Sequence, residues 1–148
     1  MIKLKFITAI VCIALVVNVS AQKHQAFFDN GKLSESGKFK NNEPVGKWTY
    51  YFDNGQIESQ GKFKKGVKSG AWNYYWRTGE IAEQGAWQDG KETGLWKGFH
   101  SNGNESYSGN YEDRLETGQW TFYHENGKKK EIGEYVVGEQ VGSWKLYY

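Results

Sequence analysis

"GKWTYYFDNGQIESQGKFKKG", Gly46 to Gly66, crowds Trp48, Tyr50, Tyr51 and Phe52 together, turns at Asn54-Gly55 and closes on Gly61 and Phe63. Asn-Gly between aromatic, β-prone segments is the strongest short hairpin signal, because a type I′ turn needs φ > 0 at both central residues. With Asn54-Gly55 as a two-residue loop, Phe52 is expected opposite Ile57, Tyr50 opposite Ser59 and Trp48 opposite Gly61. Directly opposed residues share a face. One face then carries Trp48, Tyr50, Phe52, Ile57 and Phe63, with Gly61 leaving room for the indole. The other carries Thr49, Tyr51, Glu58, Gln60 and Lys62, polar apart from the tyrosine.

The stretch is one unit of a repeat. Trp48, Trp72, Trp96, Trp120 and Trp144 recur every 24 residues, and so do Gly37, Gly61, Gly85, Gly109 and Gly133. Two further glycine columns, Gly31 to Gly127 and Gly46 to Gly142, keep the same step. The turn dipeptide recurs at Asn30-Gly31, Asn102-Gly103 and Asn126-Gly127, with Thr78-Gly79 as the variant. A fixed period of this size signals a repeat architecture. A single hairpin is marginal in water, so the units must pair edge to edge. The expected fold is all-β: an elongated antiparallel meander of 24-residue hairpin repeats, about ten or eleven strands, twisting by roughly 20–25° per strand until its aromatic face closes on itself. His24 stands where later units have Trp, as in a degenerate capping repeat, and the chain stops at Tyr148 within a unit. Asn42 and Arg114 replace the glycine seen at Gly66, Gly90 and Gly138, which predicts a different shape for those two connecting loops.

The first residues read differently. "MIKLKFITAIVCIALVVNVSAQ" has Lys3 and Lys5, an apolar run from Phe6 to Val17, and the small-residue junction Val19-Ser20-Ala21. That is the pattern of a secretory signal peptide over residues 1–21, cleaved after Ala21. Bulky Val11 before Cys12 argues against a lipoprotein signal. The remainder, 22–148, is one repeat domain of about five units. The chain has 19 Lys+Arg and 17 Asp+Glu, so losing Lys3 and Lys5 leaves 17 of each. Such a neutral chain has no basic footprint for nucleic acid. Its charges are uneven, with the excess of Lys before residue 69 and the excess of Asp and Glu after it. Cys12 is the one cysteine, so no disulfide or thiol chemistry survives cleavage and packing alone must hold an exported fold.

The pattern aromatic-x-x-Gly-x-x-x-Gly-x-Trp-x-aromatic-aromatic, as in "FKKGVKSGAWNYY" and "WQDGKETGLWKGF", resembles the MORN-repeat variant of the YwqK-type antitoxin family across residues 26–148. The resemblance implies a scaffold that binds proteins, with phospholipid contact or toxin neutralisation as further family roles. It implies no enzyme activity and no cofactor.

Among candidate sites, no nucleophile elbow, phosphate-binding loop or His-Glu-x-x-His is present. Asp53, Asp89, Glu116 and Glu125 recur at turn and loop positions and read as solvated charges. His100 and His124 share a register, but equivalent residues lie two strands apart, about 9.5 Å, too far to share one metal ion easily. Their column also holds Phe28, Phe52, Trp76 and Tyr148, so they read as aromatic substitutes. Glycan or choline binding by the Trp column is an alternative to packing of Trp48, Trp72, Trp96, Trp120 and Trp144 over Gly61, Gly85, Gly109 and Gly133. Lys62, Lys64, Lys65 and Lys68, or Lys128 to Lys130, are candidates for peripheral membrane contact. The unpaired strand ending at Tyr148 invites a partner or a second copy. The row Phe27, Tyr51, Tyr75, Phe99, Tyr123 and Tyr147 stands on the otherwise polar face, a ladder roughly 50 Å long for a protein partner or extended polymer. These features together predict an exported, non-enzymatic scaffold of the envelope or cell exterior.

Overall fold

The computed structural model describes residues 20–148; the apolar run of the expected signal peptide lies outside the described residues. Eleven strands follow in chain order: β1 Gln22–Phe27, β2 Leu33–Lys40, β3 Glu43–Tyr51, β4 Ile57–Lys64, β5 Val67–Tyr75, β6 Ile81–Gln88, β7 Lys91–Phe99, β8 Glu105–Glu112, β9 Leu115–Tyr123, β10 Lys129–Val136 and β11 Glu139–Leu146. They form one sheet whose spatial order is the sequence order, each strand antiparallel to the next. The expected meander is therefore the fold. It stays open, with β1 and β11 as its two edges, so the aromatic face does not close by wrapping round.

The two kinds of turn are the reverse of the expectation. At Asn54-Gly55 only the glycine has positive φ, 94°, and its N–H donates to the Phe52 carbonyl. The Phe52 N–H donates to the Gln56 carbonyl, giving a three-residue loop: a type I turn followed by a left-handed glycine. The pairing slips by one residue there, so Tyr51 rather than Phe52 is aligned with Ile57. Tyr50 opposite Ser59 and Trp48 opposite Gly61 stand as expected. The two-residue loops with positive φ at both positions lie in the connections instead. Lys65 and Gly66 have φ of 51° and 79°, and Asp89 and Gly90 have 50° and 77°. Asn42 at 62° and Arg114 at 78° adopt the same left-handed geometry as the glycines they replace, so the expected difference in loop shape does not exist. The substituted loops absorb the strain because ladder pairs on both sides, Lys40 with Glu43 and Glu112 with Leu115, hold them.

The core is a single line of rings on one face. Trp48, Trp72, Trp96 and Trp120 are buried, Trp72 completely, while Trp144 at the last strand is half-buried. The space each glycine leaves is used by the tryptophan of the following strand, not by the one paired with it. A Cβ on Gly61 would overlap the five-membered ring of Trp72, and the same holds for Gly37 and Trp48, Gly85 and Trp96, Gly109 and Trp120, Gly133 and Trp144. The indole N–H then reaches a strand carbonyl, Trp72 to Lys62 at 3.2 Å and Trp48 to Lys38 at 3.3 Å. Tyrosines stack between the indoles: Trp48, Tyr50, Trp72, Tyr74 and Trp96 follow at centroid spacings from 6.0 to 6.4 Å. Gly98 interrupts this column, and the Tyr107 ring fills its place and stacks on Trp120 at 5.6 Å. His24 caps the other end, 5.5 Å from Trp48.

Gly61 and Gly46 separate the two uses of glycine. Gly61→Ala must expel the Trp72 ring and should cost about 3 kcal/mol, close to losing a buried aromatic. Gly46 has φ of 69° and open space around it, so Gly46→Ala should cost only about 1 kcal/mol of left-handed strain. Urea midpoints of the two variants check this; equal losses would show that the ring can step aside.

Candidate functional site

The predicted ladder lies where each hairpin slips register. Phe27 is aligned with Leu33, Tyr51 with Ile57, Tyr75 with Ile81, Phe99 with Glu105 and Tyr123 with Lys129. Phe27 is 61% exposed, and the other five, including Tyr147 just past β11, are half-buried. Leu33, Ile57 and Ile81 in this alignment are apolar, so the row borders apolar as well as polar neighbours. Gln60 donates to the Tyr75 hydroxyl at 2.6 Å, and the Lys145 ammonium lies 4.9 Å from the Tyr147 ring. The ring stack of the opposite face includes none of them.

Turn residues stitch successive repeats. Asn54 accepts from the Gln56 N–H and donates to the Arg77 carbonyl of the next turn; Asn30 and Asn102 do the same toward Asp53 and Glu125. His100 and His124 each put Nε2 within 3.2 Å of the next unit's Tyr123 or Tyr147 carbonyl. Each histidine is thus a link between repeats, and no group of three His, Cys, Asp or Glu side chains among the described residues converges on a metal-sized centre.

The aromatic face holds a second constellation that the sequence reading did not assemble. The Asp89-Gly90 turn aligns Trp87 with Glu92, and the Asp113-Arg114 turn aligns Tyr111 with Glu116. Glu116 is accordingly a half-buried strand residue, accepting from the Tyr111 hydroxyl at 3.3 Å, and not a solvated loop charge. The equivalent residue one unit before Glu92 and two before Glu116 is Lys68. It leaves the exposed cluster of Lys62, Lys64 and Lys65 and lodges its ammonium 4.3 Å from the Trp72 centroid and 4.5 Å from Trp87, donating to the Tyr74 hydroxyl at 2.9 Å. Glu83 accepts from the Tyr107 hydroxyl. The signal available in the sequence was the Asp-Gly dipeptide, a strong two-residue turn whose register sets Glu92 against a tryptophan.

Burial and charge shift these groups together. Burial pushes the Tyr74 hydroxyl up to about 12; the nearby Trp87 N–H, which makes no full hydrogen bond, pulls it down, and Glu83 and Glu92 push it up. Tyr111 is raised by burial and by Glu116, and Tyr107 by burial and its bond to Glu83. Burial lowers Lys68, and Glu92 and Glu83 partly restore it.

Periodic tryptophans over glycines, on an open meander, define a hairpin-repeat protein. The family model described as the MORN repeat variant matches the chain at residues 44–65 and 116–136, which span parts of β3 and β4 and of β9 and β10. No curated protein matches the chain. No helix among the described residues is long and apolar enough to cross a membrane.

The Tyr74 shift has a consequence for stability. Its folded value lies above the ordinary 10.0, so the unfolded chain releases the proton first. The contribution is complete below pH 10 and falls as pH rises toward about 12. Tyr74→Phe removes the group, so the decline of the urea midpoint across that window should be shallower in the variant than in the wild type. Parallel curves would show that the hydroxyl is free to ionise in the fold.

Proposed function

We propose that the chain is an exported, non-enzymatic repeat scaffold that binds another macromolecule through the polar-face row Phe27, Tyr51, Tyr75, Phe99, Tyr123 and Tyr147. One observation carries this reading: a regular row of partly exposed rings, one per repeat, that the ring stack of the core does not use. The match to the MORN repeat variant supports a scaffold, since repeats of this family are generally non-catalytic. The signal-peptide pattern of residues 1–21 supports the bacterial envelope or cell exterior, and it opposes a toxin-neutralising role inside the cell. Half-buried rings set two strands apart, about 9.5 Å, suit an extended partner better than a compact ligand. Glycan stacking on the Trp column is disfavoured, because the four central indoles are covered by their neighbours.

The test is capture from envelope extracts by the mature protein, with intact mass establishing that it begins at Gln22. Tyr51→Ser with Tyr75→Ser should leave the fold intact and lose the captured partner. Capture that survives the pair, or a pair as destabilising as loss of a core tryptophan, would overturn the ladder. A product that retains Met1 would overturn export.

A second contact follows from strand count. Eleven antiparallel strands leave β1 and β11 pointing the same way. Copies stacked head to tail would meet in parallel, whereas two β11 edges related by a two-fold axis continue the antiparallel ladder and close. Self-association through the C-terminal edge should therefore give a dimer and not a filament. Light scattering should read a dimer that Leu146→Pro dissociates; a monomer, or an assembly growing with concentration, contradicts it.

A further inference from the structure

The row crossing the aromatic face alternates ring and charge: Phe63 with Lys68, Trp87 with Glu92, Tyr111 with Glu116, each pair directly opposed. Lys68 shows what the slot between rings accepts, an ammonium within 4.5 Å of two indole centroids. One repeat later the equivalent walls are Trp96 and Tyr111, 5.9 Å apart, and Trp87, shared with the Lys68 slot, lies 5.9 Å from Trp96 on the other side. The resident charge, however, is reversed to Glu92 and Glu116. A cleft of about 440 Å³ lies there, with Glu83 and Tyr74 also on its wall.

The charges in that cleft do not balance. Glu83, Glu92 and Glu116 face one lining cation, Arg114, whose Nε stands 3.5 Å from Glu92 and whose side chain is 63% exposed. Lys68 is adjacent but already held over Trp72. Burial is the main cause of the upward shifts of Tyr74, Tyr107 and Tyr111, and the glutamates of the cleft add to each. The carboxylates do not converge on a metal-sized centre, so a bare cation finds no closed ligand set. Ring walls favour an organic cation, which gains from the electron-rich ring faces as well as from the carboxylates.

We infer that the cleft walled by Trp87, Trp96 and Tyr111 binds a primary alkylammonium group from outside the chain, seated as Lys68 is seated one repeat earlier and accepted by Glu92 and Glu116. This site is on the face opposite the tyrosine row and is independent of it. Its chemistry is that of a lysine side chain: a methylene stem along the rings and an ammonium against carboxylates.

Two probes with the same unbranched carbon stem decide the matter on the full mature chain, Nα-acetyl-lysine methylamide and Nα-acetyl-norleucine methylamide, which lacks the ammonium. The indole N–H signals of Trp87 and Trp96, assigned by Trp87→Phe, should move with the lysine probe and stay still with norleucine. Glu92→Gln with Glu116→Gln should weaken the lysine probe by about tenfold, and added salt should weaken it further. Glu92→Gln alone, nearly isosteric, keeps the measurement available if the double variant misfolds, and should give a smaller loss in the same direction. Tyr51→Ser with Tyr75→Ser should leave the affinity unchanged, so failure of the ladder and failure of the cleft are read separately. Indoles that do not move, an equal response to norleucine, or carboxylate variants that bind as well as the wild type would overturn the inference.

Discussion

Everything in this sheet depends on a tryptophan lying across a glycine of the preceding strand. A one-layer sheet has no second sheet or helix to bury its apolar face against, and a side chain standing upright on it would remain half in water. The glycine removes that obstacle, so the indole lies down on the backbone while its N–H finds a carbonyl of the same strand, as Trp96 does with Ala86 at 3.2 Å. Burying an aromatic ring of this size is worth about 4–6 kcal/mol by area. With Trp48, Trp72, Trp96 and Trp120 all buried, the stabilisation is concentrated in one column, and the rest of each repeat has to place the next ring correctly.

That division explains which parts of the structure were legible in the sequence. The period, the strand count and the pairing of Trp48 with Gly61 follow from spacing alone, because packing over glycine tolerates no other residue there. The hairpin loops were misread because Asn-Gly serves two geometries. Here Asn54 occupies the third position of a type I turn, where its side chain can bond Gln56 and reach Arg77, and only Gly55 is left-handed. Assigning the two-residue turn there left the connecting loops undefined, and with them the register that sets Glu92 beside Trp87. The glycine column had a similar ambiguity: spacing shows that Gly61 leaves room, but not that Trp72, from the next strand, uses it.

The same logic accounts for where polar groups enter the aromatic face. A ring can be omitted only if a neighbour covers the indole, and the chain does so in more than one way. At Gly98 the Tyr107 ring crosses from the next strand, and at position 68 a lysine spans Trp72 and Trp87 with its stem and ammonium. Glutamate at the equivalent position of the next two units shortens the stem and inverts the charge. The acidic excess after residue 69 is therefore not spread evenly over solvated loops. Part of it is pressed against rings, where a carboxylate is costly unless hydrogen-bonded or countered.

Position along the sheet matters as much as the face. In a one-dimensional array each repeat is stabilised only by its neighbours. The first unit is closed by His24, which packs at a tilt against Trp48 and bonds Glu35 at 2.7 Å. Among the described residues the last unit has no such cap: Trp144 is half-buried and its N–H finds no partner there, while Leu146 is 56% exposed. Opening should therefore begin at β11, and the repeats around Trp72 and Trp96, covered on both sides, should open last. The carboxylate cleft is built on those central repeats. It is held by the repeats expected to open last, whereas at the β11 edge, with its half-buried tryptophan, a second strand would add the neighbour that Trp72 and Trp96 already have.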